Sequence, residues 1–127
     1  MLKTYLAVMA GGAVGTGLRL WLCGILAVKC GEAFPIGTLA VNVLGSFLIG
    51  LLAGLAGPPL LSPLSRQVAM AGVLGGFTTF SAFSLQTLTL LQGGQWMRAS
   101  ANVVLSLVLC LLAVWLGHAA AQSLSHR

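Results

Sequence analysis

Residues 75–84 read GGFTTFSAFS and interrupt an uncharged, mostly apolar segment that runs from Gln67 to Met97. Two adjacent glycines, two threonines and two serines stand where a helix facing lipid carries Leu and Val. Glycine costs a helix interior about 1 kcal/mol relative to Ala, and Ser and Thr side chains offer the backbone competing hydrogen bonds. A spanning helix is therefore expected to unwind here, near the membrane midplane. Lipid cannot satisfy the freed N–H and C=O groups, so a break at that depth must line a protein-enclosed site or a water-filled path. Broken helices of this kind recur in ion sites. Close packing of small residues is the competing account, since the chain holds 17 glycines.

The rest of the sequence sets the class. Hydrophobic residues make up 58% and charged residues 6% of the chain, against about 25% charged in soluble domains, and the mean hydropathy is +1.04. This is the composition of an all-α integral membrane protein. Residues 4–18, 20–28, 33–65, 67–97 and 99–126 contain no Asp, Glu, Lys or Arg. A spanning helix needs about 20 apolar residues, so the economical division is four spans, at about 4–27, 35–56, 67–92 and 98–120. They make residues 1–127 a single four-helix transmembrane domain and leave no room for a soluble one. Lys3, an apolar run and the small residues at 10–13 imitate a secretory signal. The run continues past Arg19 to Val28, which predicts a retained helix.

The predicted links are Lys29–Pro35, Gly57–Arg66 with Pro58, Pro59 and Pro63, and Gly93–Arg98; links this short make neighbouring spans antiparallel. Cys23, Cys30 and Cys110 form no CxxC and read as buried thiols without a redox or metal role. The net charge of +5 comes from basic residues scattered singly, whereas a nucleic-acid surface needs them clustered. Lys3, Arg66 and Arg127 fall on one side of four spans and Lys29 and Arg98 on the other. Such a balance gives almost no orientation signal. A chain that inserts both ways can form an antiparallel homodimer of dual topology, and four short helices alone can hardly enclose a hydrated path.

Polar residues within the spans recur every fourth position. Ala7, Gly11, Gly15 and Arg19 form a groove of small side chains leading to the single charge inside a span. An arginine there either faces a cavity and attracts anions or snorkels to lipid phosphate. Thr38, Asn42 and Ser46 line one face of the second span, and Asn102, Ser106, Cys110 and His118 keep the same register on the fourth. Interhelical hydrogen bonding is the plain account of any one such stripe; two beside a broken helix read as walls of a polar track. Phe77, Phe80 and Phe83 interleave with Thr79, Ser81 and Ser84, and aromatic edges carry the partial positive charge that can face an anion.

Burying a small ion costs on the order of 20 kcal/mol by an idealised Born estimate, while one charge-assisted hydrogen bond returns about 1.5–3 kcal/mol. Several donors in succession are needed, and Thr38, Asn42, Ser81 and Ser106 are the candidates. A cation held by carbonyls at the break would add about 1.7 kcal/mol at about 10 Å and an effective dielectric near 20. Glu32, the single carboxylate, lies in a link, so the permeant species is expected to be an anion. The missing intramembrane acid argues against a proton-coupled drug exporter of similar size. A holin-like structural subunit needs neither stripes nor a break. No nucleophilic triad, metal cluster or nucleotide loop is present, and no enzyme is expected.

Three stretches, GTGLRLWL at 15–22, GTLAVNVLGSFLIG at 37–50 and GGFTTFSAFSLQT at 75–87, resemble the Fluc or CrcB family of fluoride channels over essentially the whole chain. The resemblance implies an antiparallel dual-topology homodimer in the inner (plasma) membrane. Its two pores would export toxic fluoride passively. Phe80 and Phe83 would be the paired rings of the fluoride pathway, Asn42 its amide, and Ser106, Thr38 and Ser81 would belong to the polar track. The backbone carbonyls of Gly75 and Thr78 from both subunits would hold a structural sodium ion at the dimer centre, and Arg19 would stand at the vestibule. Ala82, Gln86 and Cys110 depart from the usual pattern, where Thr, Glu and a hydroxyl are common.

Overall fold

The computed structural model describes residues 1–55 and 61–125, with side chains to Leu124. The predicted turn prolines Pro58 and Pro59, the end of the second span at residue 56, and Arg127 lie outside the described residues. Among the described residues there is no strand. Four helical stretches are long and apolar enough to cross a membrane, Leu2–Cys30, Ile36–Leu55, Pro63–Gln92 and Trp96–Leu124. Helix α1 (Leu2–Cys30) and helix α2 (Ile36–Leu55) form the first two. The third is composite: α3 (Pro63–Gln67), a π-helical turn (Val68–Leu74), α4 (Gly75–Phe77) and α5 (Phe80–Gln92). Helix α6 (Trp96–Ser125) is the fourth.

The first, third and fourth helical stretches overrun the predicted spans, for local chemical reasons where their ends are capped. Ser62 caps α3 by accepting from the Ser65 N–H at 3.1 Å, with Pro63 in the first turn. Proline's missing N–H costs nothing in that turn and its φ is already helical, so Arg66 sits inside a helix rather than in a link. Helix α1 ends where Gly31 adopts φ 75° and its N–H reaches the Ala27 carbonyl. Helix α5 ends in a Schellman turn. Gln95 N–H bonds the Leu90 carbonyl, Gly94 N–H bonds that of Leu91, and Gly94 takes the positive φ of 70°. At 1.5 Å per residue the first helix is about 44 Å long, more than a hydrocarbon core of about 30 Å, so its ends reach the polar boundary.

The interior joins apolar residues such as Val41, Leu74, Phe77 and Phe83 to a few polar ones, and the outer surface is apolar as well. Thr38, Thr79, Asn102 and Ser106 are buried, whereas Leu20, Trp21, Leu111 and Trp115 face outward. The broadest contact joins α2 to α6. There a Cβ added at Gly50 would collide with the Val114 carbonyl, and one at Gly117 with that of Phe47, so the backbones meet directly as small residues allow in membranes. On the other side α1 packs against the π-helical turn and α4. The groove predicted along α1 is filled by this chain's own backbone, since a Cβ at Gly15 would strike the Val73 carbonyl and one at Gly11 would lie 3.1 Å from the Val68 oxygen.

Candidate functional site

Thr78 and Thr79 separate α4 from α5, with backbones extended at φ −83°, ψ 159° and φ −153°, ψ 112°. β-Branched residues tolerate this conformation well. Each threonine also closes one helix end. The Thr78 hydroxyl donates to the Leu74 carbonyl at 3.0 Å, finishing α4, and the Thr79 hydroxyl accepts the Ala82 N–H at 3.2 Å, capping α5.

Asn42, reaching across from α2, binds both backbone groups of Thr79. Its Nδ2 donates to the Thr79 carbonyl at 3.0 Å and its Oδ1 accepts the Thr79 N–H at 2.7 Å. A backbone N–H can only donate and a carbonyl only accept, so the amide orientation is fixed by its partners. Buried backbone polar groups must be paired, and one side chain here pairs two. A consequence falls on the carbonyls of Gly75 and Thr78. The donors that would close helical turns on them are the N–H groups of Thr79 and Ala82, and both are engaged elsewhere.

The extended segment borders a cavity of about 420 Å³. Asn42, Gly75, Thr78, Phe80, Phe83 and Ser106 all line it, so six of the nine sequence-predicted positions meet at one place. The Phe80 and Phe83 rings stand 5.2 Å apart, tilted by 47°. Phe83 is buried, but Phe80 is 73% exposed, so the ring pair spans the boundary between the interior and an uncovered face. The Ser106 Oγ is buried and has no hydrogen-bond partner among the described residues. Ser46 and Cys110 also line the cavity, and the chain's one carboxylate, Glu32, does not. Ile49, Met70, Leu74, Leu107 and Leu111 make much of the wall apolar, and Asn42, Ser46, Ser106 and the two rings interrupt it with no negative side chain beside them.

The other three predicted residues sit apart. Thr38 is buried beside a second cavity of about 360 Å³, whose lining includes Cys23, Glu32 and Gln86. Ser81 is exposed, with its hydroxyl 3.4 Å from that of Thr79, and lines neither cavity. Arg19 is half-buried on α1 and also lines neither; its Nε is buried without a hydrogen-bond partner among the described residues. Sequence reasoning missed the part Thr79 plays as both cap and clasped residue. The spacing of a threonine three residues before Ala82 is a signal that could have shown the cap.

The family model described as "CrcB-like protein, Camphor Resistance (CrcB)" matches residues 6–118. A protein of Opitutus terrae named fluoride-specific ion channel FluC is 56% identical over 127 residues, covering 98% of this chain and 96% of its own. One of Rhodospirillum rubrum with the same name is 56% identical over 121 residues, covering 93% and 94%. A third, of Methylocella silvestris and again so named, is 48% identical over 124 residues, covering 95% of each. With a family match across most of its length and relatives this similar end to end, the chain is a multi-pass membrane protein that belongs to the CrcB family.

Proposed function

We propose that this chain is a passive fluoride-selective channel. It works as an antiparallel, dual-topology homodimer in the cytoplasmic membrane, with two pores that let fluoride leave the cell and so relieve its toxicity. The observation that carries this reading is the cavity wall. Phe80 and Phe83, tilted against each other, line one space together with Asn42 and Ser106, and no carboxylate lines it. Donors and ring edges stabilise an anion and repel a cation. The names of the relatives from Opitutus terrae and Rhodospirillum rubrum support fluoride as that anion. A proton-coupled exporter would need a carboxylate within the membrane, and the sole one is in a link.

The dimer is supported by the exposure of Phe80 at the cavity edge; a second copy would cover the ring and complete the wall. The Gly75 and Thr78 carbonyls, short of helical donors in residues that line the cavity, suit a hard monovalent cation, which takes oxygen ligands. A sodium ion held by them at the dimer centre, near the midplane, would supply a fixed positive charge beside the path. In this reading Thr38 and Ser81 serve the outer parts of the track and Arg19 gathers anions at its mouth. The moving ion forms and breaks no covalent bond, so the chain acts without enzymatic chemistry.

Fluoride efflux from liposomes holding the purified chain, followed with a fluoride electrode at neutral pH and no proton gradient, tests the proposal. Rapid fluoride release with chloride retained is expected. Release that requires an imposed proton gradient would replace the channel by a coupled transporter, and no release would leave a structural subunit.

A further inference from the structure

Asn102 and Val41 are the two largest side chains with under 2% of their surface exposed, Asn102 at 1%. An amide this deep in a membrane protein needs partners. The Asn102 Nδ2 on α6 donates to the Thr87 Oγ1 on α5 at 2.9 Å, and the Thr87 hydroxyl donates to the Phe83 carbonyl at 2.8 Å. With the amide nitrogen toward Thr87, the amide donates and the hydroxyl gives its one proton to the Phe83 carbonyl. A threonine bonding back by one turn is ordinary and bends a helix slightly. Here a second helix donates into the same hydroxyl, which polarises and strengthens the bond beyond it. The link therefore ends on the residue whose ring walls the cavity.

Contact between α5 and α6 is narrower than that between α2 and α6, so a polar link between them has more influence on the seat of α5. One turn along the same face of α6, Ser106 lines the cavity, its Oγ buried and without a hydrogen-bond partner among the described residues. A single helix face thus holds Phe83 by one residue and meets the cavity with the next. We propose that Asn102 is a positioning residue. Acting through Thr87, it sets where the Phe83 ring stands relative to the Ser106 hydroxyl, and so the geometry of the anion path between them. The inference rests on the channel reading above. Functional groups must be held to within about 0.5 Å by the residues behind them, and a loosened α5 fails that condition.

The test uses the full chain in liposomes, with fluoride flux measured over a concentration series and melting measured in detergent. Asn102→Leu and Thr87→Val are each expected to lower maximal flux at least ten-fold or to shift the half-saturating fluoride concentration at least three-fold, beyond any loss of folded protein. Thr87→Ser keeps the hydroxyl and is expected to conduct like the unaltered chain. The Asn102→Leu/Thr87→Val pair is expected to be no worse than the more affected single variant, since both cut one chain of bonds. Should Asn102→Leu fail to fold, the contrast of Thr87→Val with Thr87→Ser decides. Unaltered flux in Asn102→Leu and Thr87→Val overturns the proposal. So does flux that falls only with the folded fraction while half-saturation stays put. Absence of flux from the unaltered chain overturns the channel reading and this inference together, an outcome separate from the other two.

Discussion

Helices α1 and α2 each carry a stripe with four-residue spacing into the bundle, and the third span meets the two differently. Gly11 and Gly15 on α1 receive its backbone at contact distance, around the π-helical turn and α4. Asn42 on α2 receives Thr79 through paired hydrogen bonds, at the edge of an open cavity. Spacing alone brings a stripe to a neighbour; side-chain chemistry decides what happens there. Where the stripe has no side chain, the backbone fills the space and keeps its own helical bonds. Where it offers an amide, the backbone can leave the helix, and space remains beside it.

Changes on the cavity side should alter conduction without unfolding the chain, and changes on the α1 side should do the reverse. The largest effect is expected from Phe80→Ile with Phe83→Ile, which removes the ring edges but keeps apolar volume. Fluoride flux should fall to the liposome background while gel filtration matches that of the unaltered chain; substantial flux in that variant would reject the aromatic wall. Next comes Gly15→Val, whose side chain would collide with the Val73 carbonyl. Overpacking of this kind costs about 1–3 kcal/mol or more. A lower melting temperature is expected, with flux per folded protein unchanged; a stable variant with reduced flux per protein would put the path on the α1 side.

Smaller again is the effect of sodium. Replacing it with a large organic cation should lower the melting temperature of the detergent-solubilised chain slightly, because a ligand at about ten times its Kd stabilises by about 1.4 kcal/mol. Identical melting in the two salts would remove the cation from the Gly75 and Thr78 carbonyls.

Much of the fold was legible because its signals are local. Uncharged runs of about 20 residues mark the spans, and the four long helices occupy them. The helix ends drifted where cap chemistry overrode hydropathy, as at Ser62 and Pro63, which begin α3 four residues before the predicted start at 67. The site was legible as a set of residue types rather than as an arrangement. Phe80 and Phe83 share a face of α5 by spacing, and Asn42 and Ser106 lie on polar stripes, so their meeting could be anticipated. That Thr38 belongs to a second cavity depends on how far α2 extends past the break, which no local pattern records. The link from Asn102 to Thr87 joins residues 15 positions apart on different helices, and only the packed structure shows it.

The central claim is that the space beside the clasped Thr79 is the anion path, and Asn42→Asp tests it most directly. Aspartate keeps an acceptor for the Thr79 N–H but loses the donor to its carbonyl, and it sets a negative charge in the cavity wall. For an anion passing within about 5 Å at an effective dielectric near 20, repulsion is about 3 kcal/mol, more than a hundred-fold in rate at about 1.4 kcal/mol per factor of ten. Fluoride efflux from liposomes at pH 7 should therefore collapse in the folded Asn42→Asp chain. Efflux at the unaltered rate, with the aspartate ionised, would contradict the account and move the path away from the break.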